Sequence, residues 1–311
     1  MPTYESHSND ANYELKNIVI YLGGGNMSGV FGAGIVTAFQ EQNIYPKINS
    51  IYGTSAGILN GAYFLSKQTR LGSSVYWENL NKNFVSRKNF WIGVWQRFQN
   101  KFVKPVPEHK LKDVLDIDYL MDLVRNKKRL NSNLVISQDT PIYAKLLDID
   151  GHRIDYVDIR RPDIFKILKA AVNPLPYTHT INKINGKRYV DAGIVDRVGV
   201  ETLLSRHPDS KIFVILNQAN PLNIGWRIKS VLDGKFLEWM LGDSNFYSLC
   251  ADIQNKFQKD LEIIKTHPNI VLVMPSKKIA IASRITSSKK LINLYNAGIL
   301  EGNRIIQEHN L

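Results

Sequence analysis

Only one cysteine, Cys250, occurs among 311 residues, so the chain forms no disulfide within itself and supplies no Cys-rich zinc site. Long apolar runs are missing too: none approaches the ~20 residues that a membrane-spanning helix needs. The opening MPTYESHSND has neither a basic start nor an apolar core, and so does not read as a Sec-type signal peptide. Acidic residues are in deficit. Asp and Glu number 28 against 40 Lys and Arg, which leaves a formal net charge of +12 and a pI near 9.5. That excess favours an anionic partner, whether phospholipid headgroup, nucleic acid or acidic metabolite, and says nothing about fold. The remaining composition, 44 % hydrophobic and 22 % charged, is that of a globular protein and excludes global disorder. A chain of this length buries a sizeable core without staples.

Residues 1–14 are polar and aperiodic and read as a flexible leader, followed by one domain over 15–311. NIVIYL (17–22) is a short, continuously apolar, β-branched run stopped by three glycines, which predicts a buried strand. Helical spacing follows over 28–42, then a strand over 48–52 and a helix from about Ser55. Strand, helix, strand, helix at this density predicts an α/β fold with a mostly parallel sheet. Asp150-Gly151 and Asn185-Gly186 each separate two strand-like runs and predict hairpins. Strands are also predicted at 211–216 and 269–274, and helices at 118–126, 163–171, 251–265 and 297–307. No internal repeat or linker interrupts the pattern. The least regular stretch, 77–110, reads as an inserted cap.

Two glycine-rich turns carry the chemistry. Gly23-Gly24-Gly25-Asn26-Met27-Ser28-Gly29 leaves a strand and opens a helix, so its amides can approach an anion and the helix dipole assists. It is no dinucleotide fingerprint, because Ser28 stands where the third glycine is needed. It is no P-loop either, because Val30 follows Gly29 where Lys is required. An oxyanion hole, or a tight turn without a ligand, remains. Gly53-Thr54-Ser55-Ala56-Gly57 is a G-x-S-x-G elbow at a strand-to-helix junction, with Ser55 as nucleophile and Gly53 and Gly57 giving the sharp turn its room. The elbow arrives after the second strand, too early for an α/β-hydrolase, and the seven histidines lie in unremarkable contexts. An activated serine still needs a proton acceptor. The best carboxylate is Asp191 in YVDAG, although Asp before Ala-Gly is also an ordinary turn former.

Taken together, G-G-G-x-x-x-G at 23–29, G-T-S-A-G at 53–57 and D-A-G at 191–193 resemble the patatin-like phospholipase family over about residues 17–215. The resemblance implies a three-layer α/β/α fold and hydrolysis of lipid acyl esters by a Ser–Asp dyad without histidine. It also implies no cofactor. On this chain Ser55 becomes the nucleophile, Asp191 the base, and the amides around Gly24, Gly25 and Asn26 the oxyanion hole. Ala170-Ala171-Val172-Asn173-Pro174 is similar to the small-residue segment that the family places before its catalytic Asp. Asp196 falls where the family has a polar, structural residue. One departure stands out: the family carries Arg or Lys just before the last glycine of its first motif, and this chain has Ser28, a rival nucleophile that lacks the elbow.

No metal is required, since Asp148-x-Asp150-Gly151 lacks the further ligands of a calcium loop. The expected partner is a phospholipid or other acyl ester, with a peripheral, anionic membrane surface as the setting and no nucleic acid. Between Glu78 and Glu108 there is no acidic residue, while Lys and Arg accumulate beside Phe84, Phe90, Trp91, Trp95, Phe98 and Phe102. Trp226–Leu241 reads as the wall of an acyl pocket or as core. Competing readings are a nucleic-acid binder, a non-catalytic lipid-binding relative, and a small-ester or thioester acyl hydrolase or acyltransferase using the same dyad. A cytoplasmic or peripheral-membrane location is expected, with export by a route other than Sec left open.

Overall fold

The computed structural model describes residues 17–86, 89, 92, 93, 95, 96, 112–219, 224–284 and 287–311. The leader over 1–14 and most of the segment read as a cap lie outside the described residues.

The described chain begins with β1 (Ile18–Leu22), whose five residues are all buried and whose side chains alternate between two cores. Ile18, Ile20 and Leu22 enter one, Val19 and Tyr21 the other, as a strand covered on both faces requires. A 3-10 turn at 26–29 leads into α1 (Val30–Glu41), then β2 (Ile48–Gly53) and α2 (Ala56–Leu65). α3 (Thr69–Glu78), α4 (Leu80–Asn83), α5 (Ile117–Asp122) and α6 (Ser132–Ile136) precede β3 (Ile142–Asp148) and β4 (Arg153–Asp158). Next come α7 (Ile164–Ala171), β5 (Asn182–Ile184), β6 (Lys187–Asp191), α8 (Val200–Arg206) and β7 (Lys211–Ile215). The last elements are α9 (Ile224–Leu241), α10 (Asn245–Ala251), α11 (Ile253–Thr266), β8 (Ile270–Val273) and α12 (Ser288–His309).

One sheet runs in the order β5-β6-β3-β2-β1-β7-β8, with β4 paired to β3. The β3-β2-β1-β7-β8 portion is parallel, and β4, β5 and β6 join it antiparallel. Helices cover both faces, which gives the expected three layers. α1, α2, α3, α7 and α12 enclose one core, and α8 and α11 the other. A third apolar cluster joins the end of β3 and β6 to α9 and α10. Among the described residues, no helix is long and apolar enough to cross a membrane.

Both predicted hairpins form, at 148–153 and 184–187. The helix expected over 118–126 instead widens into a π-helical turn at Leu123–Lys127, which brings Lys128 to Ser74 (2.8 Å) and Glu78 (2.5 Å). The last helix starts nine residues earlier than expected, because Leu291, Leu294 and Tyr295 already face α1. Trp77 belongs to α3 and packs on Tyr295 rather than joining a cap.

Candidate active site

Each strand has two hydrogen-bonding edges, and β4 occupies one edge of β3 along its length. β2 and β6 therefore share the other edge, running toward each other. β2 ends at Gly53 opposite Ala144, and β6 ends at Asp191 opposite Leu146, two residues further along β3. This register brings residues far apart in sequence to one spot: Ser55 lies two residues past Gly53, and it and Asp191 border the same cavity.

Ser55 caps α2 with φ 53° and ψ −128°, a strained conformation for a residue with a Cβ. The strain is imposed from below. A Cβ on Gly57 would lie 2.0 Å from the Leu22 carbonyl oxygen, and one on Gly53 2.5 Å from the Ile58 Cα, so α2 departs too close to the strand ends for larger residues. The Thr54 amide donates to the Leu22 oxygen (3.0 Å) and its hydroxyl bonds the buried Tyr21 hydroxyl (2.7 Å), which fixes the base of the elbow.

The glycine-rich turn stands beside it at the C-terminal end of β1, where the sheet order switches between β2 and β7 and where open α/β sheets bind ligands. A Cβ on Gly24 would touch the Ser55 Cβ at 3.0 Å. The Gly23 amide donates to the Ile215 oxygen (2.8 Å), but among the described residues none accepts from the amides of Gly24, Gly25 or Asn26. Asn26 is left-handed (φ 52°), another strained position at the same turn. Asn217, just past β7, braces the loop. Its side-chain amide donates to the oxygens of Gly23 (2.7 Å) and Gly24 (3.1 Å), and its oxygen accepts from the Gly32 amide (2.9 Å) in the first turn of α1. Ser28 is fully buried and donates to the Gly25 oxygen at 2.8 Å, so it pins the loop from inside.

Asp191 is 3 % exposed. Burial raises its carboxyl to about 6, while the Gly193 amide (2.9 Å), Ser55 and the nearby Lys145 ammonium pull the other way. Its own amide donates to the Asn173 oxygen (3.2 Å), which places the 170–174 segment against it. Lys145 projects from β3 and is fully buried. It pairs with Asp196 at 2.8 Å, and Asp260 nearby accepts from the amides of Gly199 and Val200. Burial lowers the Lys145 ammonium and Asp196 opposes this. Asp196 thus has a structural partner that sequence reasoning did not find.

A cavity of about 570 Å³ opens over these groups. Ser55, Asp191, Gly24, Gly25 and Asn26 all border it, whereas Gly53 and Gly57 lie beneath. Among the described residues no histidine lines it. His207 bonds the Tyr52 hydroxyl (2.8 Å), His152 pairs with Asp243 (2.5 Å) and His179 with Asp113 (2.9 Å). Cys250 is buried, and burial pushes its thiol up to about 12, which removes it as a nucleophile at neutral pH. The acidic pair in the first hairpin is engaged too: Asp150 accepts from Arg188 at 2.6 Å and Asp148 from the Gly151 amide at 3.1 Å.

Residues 20–204 match the family model described as patatin-like phospholipase. Comparison with curated proteins gives no match. Among solved structures, VipD from Legionella pneumophila is 10 % identical with a TM-score of 0.48, the alignment covering 94 % of this chain and 67 % of VipD. The type III effector protein ExoU is 13 % identical with a TM-score of 0.29, over 93 % of this chain and 62 % of ExoU. The chain therefore spans less than two thirds of ExoU.

Proposed function

The chain belongs to the patatin-like phospholipase family, a family of lipid hydrolases, and from that premise we propose that it is a serine acyl hydrolase cleaving carboxylic esters of lipids through Ser55 and Asp191. The observation that carries this reading is that Ser55, in a strained backbone conformation, and the buried carboxylate Asp191 border the same largely apolar cavity.

Asp191 accepts the Ser55 proton as Oγ attacks the ester carbonyl. A carboxyl near 6 is ionised at neutral pH yet more basic than an ordinary aspartate, which suits a general base. The tetrahedral oxyanion is held by amides of the 24–26 turn, assisted by the N-terminus of α2. Collapse breaks the ester bond, and the departing alcohol takes the proton from Asp191. Water, deprotonated by Asp191, then attacks the acyl-serine and releases the fatty acid.

Two readouts test the proposal together: release of fatty acid from phosphatidylcholine vesicles, and labelling by a fluorophosphonate that maps to Ser55. Both are expected. A protein that takes no label and releases no acid is a lipid binder, and the proposal fails.

The net charge of +12 and the outer face of α9 support action at an anionic surface. Ile228 and Leu232, one turn apart, are 56 % and 61 % exposed, while Trp226 and Lys229 of the same helix line the cavity. A helix laid on the headgroup layer buries such residues, and surrounding cations add to the attraction. Binding to phosphatidylglycerol vesicles is expected to weaken with added salt, and to fall about tenfold or more in Ile228→Asp/Leu232→Asp, which removes two exposed apolar side chains that the headgroup layer would cover. Binding that ignores both changes would place the contact elsewhere.

A further inference from the structure

The amides at the two edges of the glycine-rich turn are taken. Gly23 donates to the Ile215 oxygen (2.8 Å), Met27 to the Ser283 oxygen (3.1 Å) and Ser28 to the Gly25 oxygen (3.1 Å). The three amides between, those of Gly24, Gly25 and Asn26, have no acceptor among the described residues. The carbonyls that precede them are all held. Asn217 donates to the oxygens of Gly23 (2.7 Å) and Gly24 (3.1 Å), and the Ser28 hydroxyl donates to that of Gly25 (2.8 Å). Each of these oxygens shares a peptide unit with the free amide that follows it in the chain.

These peptides are trans, and a trans peptide is planar with its C=O and N–H pointing opposite ways. Holding the three oxygens on one side therefore turns the three amides to the other. The held side is the interior: Asn217 is 2 % exposed and Ser28 fully buried. A Cβ on Gly25 would lie 2.7 Å from the Ser28 Oγ and 3.0 Å from the Asn217 Cβ, so both side chains press on the turn from within. Gly24, Gly25 and Asn26 all border the cavity, and a Cβ on Gly24 would lie 3.8 Å from the Ser55 Oγ. Asn217 is itself anchored, because its oxygen accepts from the Gly32 amide at 2.9 Å. A buried asparagine with both donors and its acceptor engaged is costly to displace.

We propose that Asn217 and Ser28 are positioning residues that aim three amides at the carbonyl oxygen of the ester, Asn217 setting those of Gly24 and Gly25 and Ser28 that of Asn26. The proposal rests on Ser55 acting as the nucleophile. Each side chain acts through the peptide it holds rather than on the ester. An amide aimed in advance needs no reorganisation as charge builds on the oxygen. Removing the Asn217 side chain frees two peptide units in a run of three glycines, where few steric barriers oppose rotation. Removing the Ser28 hydroxyl is milder, since the Ser28 amide still holds the Gly25 oxygen.

The test follows hydrolysis of nitrophenyl butyrate beside inhibition by an alkyl trifluoromethyl ketone, whose carbonyl carbon bonds the serine oxygen and becomes a tetrahedral oxyanion. Asn217→Ala is expected to lower kcat about 10²-fold or more while KM changes less than about threefold. The inhibitor Ki should rise by the same factor as kcat/KM falls. The acid limb of the pH profile should stay in place, because Asp191 is untouched. Asn217→Asp keeps the acceptor for the Gly32 amide but loses both donations, so at alkaline pH it should fall as far as alanine. Ser28→Ala should lose about three- to tenfold with the two readouts in the same proportion, and it carries the test if the Asn217 variants do not fold. Mere loss of folded protein lowers turnover at an unchanged Ki. That pattern, a kcat within about threefold of wild type in Asn217→Ala, or a wild-type Ki in Asn217→Asp overturns the proposal. A wild type that neither cleaves the ester nor takes a fluorophosphonate removes the nucleophile, and this proposal with it.

Discussion

Replacing Ser55 with alanine is expected to lower ester hydrolysis by about four to six orders of magnitude, the loss seen when a covalent nucleophile is removed from a site that keeps its oxyanion donors. Neither Ser28 nor Cys250 can substitute. Ser28 is fully buried and committed to the Gly25 oxygen, and Cys250 is buried outside the cavity lining with its thiol pushed up to about 12. Alanine keeps the Cβ that contacts Gly24, so the elbow retains its packing and the melting temperature should hardly move. Measured turnover above that level, in a variant confirmed by mass, would show that another group attacks the ester.

Asp191→Asn is expected to cost about 10⁴-fold in kcat while making the protein more stable at neutral pH. The two effects share one cause. Burial holds the folded carboxyl at about 6, above its ordinary 3.8, so the folded protein binds this proton more tightly than the unfolded chain does. That contribution to stability is complete below the ordinary value and is lost as pH rises through about 6. It is worth on the order of 3 kcal/mol at full burial. Asparagine keeps an acceptor for the Gly193 amide but carries no charge to desolvate. Its melting temperature should exceed that of wild type at pH 8, and the gap should close toward pH 4. The wild-type kcat/KM should fall about tenfold per pH unit below about 6, as the base becomes protonated. A profile flat from pH 5 to 8, or an asparagine variant no more stable at pH 8 than wild type, would point to a different base.

The parts of this site legible in the sequence are those written in a few adjacent residues. Gly53, Ser55 and Gly57 announce an elbow because close backbone approach demands glycine, and Asp191 stands out because a hairpin strand ends on it. Asn217 gave no such signal. It is an asparagine after a strand like many others, and it becomes the brace of the glycine-rich turn only once β7 lies beside β1. Lys145 was hidden for the same reason: a single lysine in an apolar strand does not reveal that Asp196 and Asp260 wait on the far side of the sheet. The α9 segment was ambiguous between pocket wall and core because the helix serves both. Trp226 borders the cavity, Leu237 is fully buried, and Ile228 and Leu232 face outward, which leaves a weak periodic pattern. The final helix was read too short because its first turns mix lysines with the apolar residues that dock on α1.

The shared edge of β3 has a consequence for when activity can arise. On the proposed dyad, β2 leads to the nucleophile and β6 brings its proton acceptor, so neither strand suffices without the other. On that reading, a nascent chain that has not yet emerged as far as Asp191 is expected to release no fatty acid, and a fragment severed between the two strands to stay inert unless both pieces remain clasped to the same partner strand. The sheet itself would then time the pairing, since the two proposed partners meet only once both strands lie on β3.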